Sequence, residues 1–135
     1  MARQMQIVIY EGNLVADPEA QYTANGTFVC NFRMGSNQTH KSASGEIVKE
    51  TTWLKVAVWG KTGEFVNKYA EKGSHVVVTG RLRVGEGGNP TVYELNKGGF
   101  GASYEITASD VRILKGKPFE DEDGSSSSTD EEIPF

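Results

Sequence analysis

The sequence has one cysteine in 135 residues, so no internal disulfide can form. Cys30 lies inside the apolar run of residues 27–34, which reads as a packed thiol in a reducing compartment, neither nucleophile nor metal ligand. Histidine is almost as scarce. His40 and His75 stand far apart, with no cysteine pair and no HExxH spacing, so no metal site is legible. Long apolar runs are also lacking: no window approaches the ~20 residues a spanning helix needs. The opening MARQMQIVIYEG is too short in apolar residues for a signal peptide. Gly60-Lys61-Thr62 ends like a phosphate-binding loop, yet Lys55 stands where that motif needs its first glycine. These shortages imply a cytoplasmic chain with no membrane role, no cofactor and no catalysis.

Positive charge is not in excess, since the net charge is -4. The distribution says more than the sum. Residues 116–135 carry seven acids and only Lys117 as a base, whereas residues 1–115 carry 13 bases against 11 acids. A mildly basic body of residues 1–115, long enough for one domain, is therefore followed by an anionic appendage of residues 116–135. Serine and acid dominate residues 116–132, which lack the apolar surface to offset chain entropy and are expected to be disordered.

What the body does contain is a succession of short strands. Residues 5–10, rich in β-branched side chains, give a first strand that bends or breaks before the turn signal Asp17-Pro18. Asn25-Gly26 marks a hairpin turn, and residues 27–34 alternate Phe28, Cys30, Phe32 and Met34 against Val29, Asn31 and Arg33. Residues 36–49 are polar and read as a mobile excursion. After the third strand, residues 61–73 place Phe65, Val66 and Tyr69 at helical spacing, with Gly73 as the C-terminal cap. Residues 74–84 form a fourth strand, with Val76, Val78, Gly80 and Leu82 on one face and Arg81 and Arg83 on the other. Six glycines in residues 85–103 predict a long projecting hairpin or loop, with Tyr93 and Phe100 as its aromatics. Residues 104–114 supply a fifth strand, whose change of apolar parity predicts a bulge near Ala108. Five strands with one short helix between the third and fourth is the order of an all-β oligonucleotide-binding (OB) fold, a five-stranded Greek-key barrel.

Residues 51–61, TTWLKVAVWGK, are the third strand. Alternation puts Leu54, Val56 and Val58 on a core face and Trp53, Lys55, Ala57 and Trp59 on the other. Two indoles beside an ammonium suit base stacking and phosphate neutralisation, which bind nucleic acid without reading its sequence. Burial of both faces, as in a sandwich core, explains the same residues. The strand alone leaves both readings open.

Taken together, several segments resemble the bacterial single-stranded-DNA-binding proteins. They are Gly12-Asn13-Leu14 with Asp17-Pro18-Glu19, Val29-Cys30-Asn31-Phe32-Arg33, Glu50-Thr51-Thr52-Trp53 through Val58-Trp59-Gly60-Lys61, Lys72-Gly73 to Gly80-Arg81-Leu82, and Tyr104-Glu105-Ile106. The ending Asp130-Glu131-Glu132-Ile133-Pro134-Phe135 is similar to that family's acidic tip. The resemblance implies that Trp53 and Trp59 stack bases, with His40 aligned to a third stacking position and Tyr93 or Phe100 standing for a fourth. Arg33, Lys55, Lys61, Lys72, Arg81 and Arg83 become candidate phosphate contacts. It also implies a nucleoid-associated homotetramer whose tip engages replication, recombination and repair proteins. The tail of about twenty residues, rich in acid and serine, is shorter than the Gly- and Gln-rich linker common in relatives. An RNA-binding or primosome-type OB module is the alternative.

Overall fold

The computed structural model describes residues 3–116. Beyond Gly116, the tail expected to be disordered and its tip, 130–135, lie outside those residues. The order is β1 (Val8–Leu14), β2 (Glu19–Tyr22), β3 (Phe28–Lys41), β4 (Ile47–Trp59), α1 (Gly60–Tyr69), β5 (His75–Arg83), β6 (Thr91–Glu94) and β7 (Phe100–Lys115). Strands β1, β5, β7, β4 and β3 lie side by side in that order, and β3 returns to β1 through Asn13 with Gly35 and Leu14 with Met34. The result is a closed five-stranded barrel with one short helix between its third and fourth strands, the expected OB architecture. All these pairings are antiparallel except β4 with β7.

Alternation builds the core as the sequence implies. Cys30, Phe32 and Met34 of β3, Leu54, Val56 and Val58 of β4, Val76 and Val78 of β5, and Ile106, Ala108 and Val111 of β7 are buried together. The parity change in β7 is a bulge: Thr79 registers with Asp110 but Gly80 with Ala108, so Ser109 is extra, and its hydroxyl donates to the Thr79 carbonyl at 3.1 Å. Cys30 is fully buried, and burial pushes its thiol up to about 11 from 9.0. A folded thiol that holds its proton more tightly than the unfolded one stabilises the fold below pH 9, and that contribution fades as pH rises towards 11. Urea melts from pH 8 to 11 should therefore show a steeper loss of stability for the native chain than for Cys30→Ala. Equal slopes would contradict it.

Several boundaries differ from the sequence reading. The first strand is not residues 5–10 but Val8–Leu14, because Gly12 lets β1 cross β3 closely. A Cβ there would lie 2.3 Å from the Gly35 carbonyl oxygen. Met5 and Ile7 stay exposed ahead of it. The helix ends at Tyr69, with the Ala70 N–H donating to the Val66 carbonyl, and Gly73 instead belongs to the following turn, its N–H donating to Leu14. Its buried stripe is Gly63, Val66 and Ala70, while Phe65 and Tyr69 pack on each other at 5.1 Å along its flank.

The largest correction concerns residues 36–49. They are not a mobile excursion but the distal half of a long hairpin, in which β3 and β4 remain in unbroken register out to Lys41 with Ile47. Apart from Ala43, Ile47 and Val48 the side chains there are polar, because the arm has left the core, so apolar alternation is lost while the ladder continues. Three hairpins close identically. Thr23 to Thr27, Ser42 to Glu46 and Leu95 to Gly99 are each bridged by an N–H to carbonyl bond, with a glycine of positive φ (Gly26, Gly45, Gly98) at the fourth position. The third of these joins β6 to β7, so residues 85–103 form a projecting hairpin and the fifth strand begins at Phe100, not Tyr104.

Candidate nucleic-acid interface

The outer face of the barrel is read from the register. On β4 the side chains opposite the core are Trp53, Lys55, Ala57 and Trp59. Trp53 is 53% exposed and Trp59 43%, while Ala57 is buried. The two indoles therefore do not belong to a second core. Six residues of strand put them about 20 Å apart, so they meet different parts of any extended ligand.

Each aromatic near the centre of this face lies over a glycine on the adjacent strand. Trp53 registers with Gly35, and a Cβ on Gly35 would stand 2.8 Å from the indole Cζ3. Tyr93 of β6 registers with Gly101 of β7, where a Cβ would stand 2.8 Å from the ring Cε2. The missing side chains let both rings lie low across the neighbouring strand. Between them the Lys55 ammonium sits 5.4 Å from the Tyr93 ring centroid, a cation–π contact. Trp53, Lys55, Tyr93 and Arg33 line one open trough. Gly35→Val should push the indole off this seat. In a Trp59→Phe background the variant is expected to show stronger acrylamide quenching of Trp53 emission, and unchanged quenching would contradict the packing.

A second trough adjoins the first and contains Arg33, Lys55, Arg83 and Glu105. Arg33 registers with Lys55, Lys55 with Glu105, and Glu105 with Arg83, so these four side chains cross β3, β4, β7 and β5 in one row. Arg81 registers with Thr107 one row further along. Lys61 lies in the first turn of α1 and Lys72 in the turn before β5, where its backbone N–H donates to Asp17 Oδ1 at 2.7 Å. Neither lysine lines a trough.

Parity separates the remaining aromatics. His40 shares its face with Met34 and Leu54, not with Trp53; along the arm the Trp53 face carries Asn37, Thr39, Lys41, Lys49 and Thr51. The Thr51 hydroxyl donates to Asn37 Oδ1 at 2.7 Å and ties the two strands together there. Phe100 registers with Glu94 and lies opposite to the Tyr93 face, so the hairpin brings Tyr93 to the trough and turns Phe100 away. Glycines 35 and 101 are the residues that reading the strands singly overlooks. Their partners lie on other strands, and no local pattern marks them.

Among the described residues, no three His, Cys, Asp or Glu side chains group as a metal site, and no helix is long and apolar enough to cross a membrane. The arrangement is an open, mixed-charge face with half-exposed rings, suited to stacking and to ion pairing.

The model of the single-strand binding protein family matches residues 5–114. Single-stranded DNA-binding protein 1 of Chlorobaculum tepidum is 36% identical over 83 residues, covering 62% of this chain and 51% of the relative. The single-stranded DNA-binding protein of Neisseria meningitidis is 31% identical over 110 residues, covering 82% of this chain and 60% of the relative. The chain thus spans between half and three fifths of the length of these relatives. Among solved structures, the Plasmodium falciparum SSB in complex with ssDNA aligns with a TM-score of 0.68 at 20% identity, covering 85% of this chain and 99% of that one. A small single-stranded DNA-binding protein from Streptomyces coelicolor aligns at 0.62 and 20% identity, covering 83% and 95%. At these identities the structural likeness speaks for the fold.

Proposed function

Because the chain belongs to the single-strand binding protein family, and to its bacterial type, we propose that it binds single-stranded DNA without strong sequence preference. The observation that carries this reading is the outer trough, where Trp53 and Tyr93 lie over glycines with Lys55 between them and Arg33 alongside. Rings stack on any base, and the cations neutralise phosphates. In a duplex the base faces are hidden, so only unpaired strands present what the rings need. Trp53, Trp59 and Tyr93 are the stacking residues in this account, with Arg33, Lys55, Arg81 and Arg83 as the phosphate contacts. Trp59 and Arg81, like His40, Phe100, Lys61 and Lys72, line neither trough and would serve a strand that continues beyond them. The chain acts by binding, with no catalysis and no cofactor.

Fluorescein-labelled oligo-dT, competed with unlabelled single-stranded DNA, duplex DNA and RNA, tests the reading. Single-stranded DNA should displace the label at far lower concentration than duplex. RNA competing more strongly than DNA would favour the RNA-binding or primosome-type module, since RNA recognition can use the 2'-hydroxyl. Affinity should fall as salt rises and counterion release loses its driving force.

The finer assignments follow the family. Residues 1–115 are the binding domain and residues 116–135 an acidic tail, in the cytoplasm and at the nucleoid. The tip Asp130, Glu131, Glu132, Ile133, Pro134 and Phe135 recruits replication, recombination and repair proteins, its apolar residues fitting a basic-rimmed pocket. Deleting 130–135 should leave oligo-dT affinity unchanged and abolish capture of those partners. A homotetramer accords with β1, whose residues Val8–Gly12 have a strand neighbour on one side only among the described residues, beside Ile7 and Ile9 exposed at 58% and 64%. Light scattering should give four times 14.7 kDa; a monomer mass would refute it.

A further inference from the structure

The basic row contains one acid that the proposed role does not use. Glu105 stands in register between Lys55 and Arg83, with Arg33 beyond Lys55. Adjacent strands lie about 4.8 Å apart, so Glu105 has a basic residue one strand away on each side. It is also recessed: its side chain is 18% exposed against 61% for Arg83. One oxygen, Oε1, faces Arg83 Nε at 3.9 Å, and the other, Oε2, accepts a hydrogen bond from the Ser103 hydroxyl at 3.1 Å. The acid is thus held by a residue of its own strand, while the guanidinium beside it is the more exposed partner. An ion pair of this length at the surface contributes little to folding. Its effect falls on whatever else approaches Arg83 and Lys55.

We propose that Glu105 is a built-in competitor of the DNA phosphate: it occupies Arg83 and offsets Lys55 in the free protein, so that a phosphate must displace it, which limits affinity and eases release. The inference rests on the single-stranded DNA reading above. A carboxylate and a phosphate seek the same donors, and only one of them is tethered. The strand is therefore held by the rings and the flanking cations, with the centre of the row contributing less than its count of positive charges implies.

Glu105→Gln keeps the shape and the acceptor for Ser103 but removes the charge. It should tighten oligo-dT binding about three- to tenfold at low salt, and steepen the dependence of log affinity on log salt by about 0.7, the value for one additional phosphate on a single strand. Most of the gain should disappear in an Arg83→Gln background, where the restrained cation is already gone. A merely structural role for Glu105 gives no such coupling. If the unsubstituted chain binds and Glu105→Gln binds equally or more weakly, Glu105 positions Arg83 and the proposal fails alone. It fails equally if the gain persists undiminished without Arg83, or if the substitution weakens oligo-dC but not oligo-dT, which would make Glu105 a reader of amino-bearing bases. No oligo-dT binding by the unsubstituted chain removes both this proposal and the reading beneath it.

Discussion

Replacing Trp53 and Trp59 together by alanine is expected to weaken oligo-dT binding by two to three orders of magnitude while leaving the fold intact. Both indoles are about half exposed, so little core packing is lost with them. What is lost is the stacking surface, and one base on one ring contributes on the order of 1 to 3 kcal/mol. At about 20 Å apart along β4 they would meet different nucleotides of a bound strand, so the two losses should add. Each single variant is then expected to lose about ten- to fiftyfold, near the middle of that range. Anisotropy of labelled DNA is the proper readout, because the chain has no other tryptophan. Binding unchanged in the double variant, with the unsubstituted chain binding normally, would refute the residue assignment and leave the function standing.

Gly80→Val is expected to unfold the barrel or cost it more than about 3 kcal/mol, in the range where overpacking meets backbone and not a movable side chain. A Cβ at Gly80 would stand 2.2 Å from the Thr107 carbonyl oxygen and 2.8 Å from Ala108 Cα. Both are backbone atoms of β7 at the bulge, where Ser109 has already left the ladder. No rotamer change relieves such an approach, and the β5–β7 ladder must open. Arg81→Ala, one residue along on the exposed outer face, should change the urea midpoint little. A Gly80→Val midpoint equal to the unsubstituted one would show that β5 and β7 do not approach this closely.

Much of this barrel is legible in the chain because its core strands alternate cleanly. Leu54, Val56 and Val58 against Trp53, Lys55 and Trp59 give both the strand and its two faces, and the slip in parity after Ile106 gives the bulge. Legibility stops where side chains no longer report burial. Residues 36–50 have only Ala43, Ile47 and Val48 as apolar side chains because the arm stands clear of the core, so the strand ladder leaves little trace in hydropathy. The turn closing it, Ser42 to Glu46 with Gly45 at positive φ, is the trace that was there. β2 escapes for a similar reason, since Glu19, Ala20, Gln21 and Tyr22 are all exposed at an edge.

The interface is legible only in part. Residues on one strand can be placed by counting, which is how Trp53 and Trp59 share a face with Lys55. Pairing across strands cannot be counted, and it decides the rest. It seats Trp53 on Gly35 and Tyr93 on Gly101, turns His40 and Phe100 to the opposite faces, and sets Glu105 among three cations.

The most direct test of the account is a titration of intrinsic tryptophan emission with oligo-dT at low and at high salt. Stacking on Trp53 and Trp59 predicts strong quenching at low salt and a clear shift to weaker binding at high salt as counterions compete. No quenching at low salt would contradict the central claim.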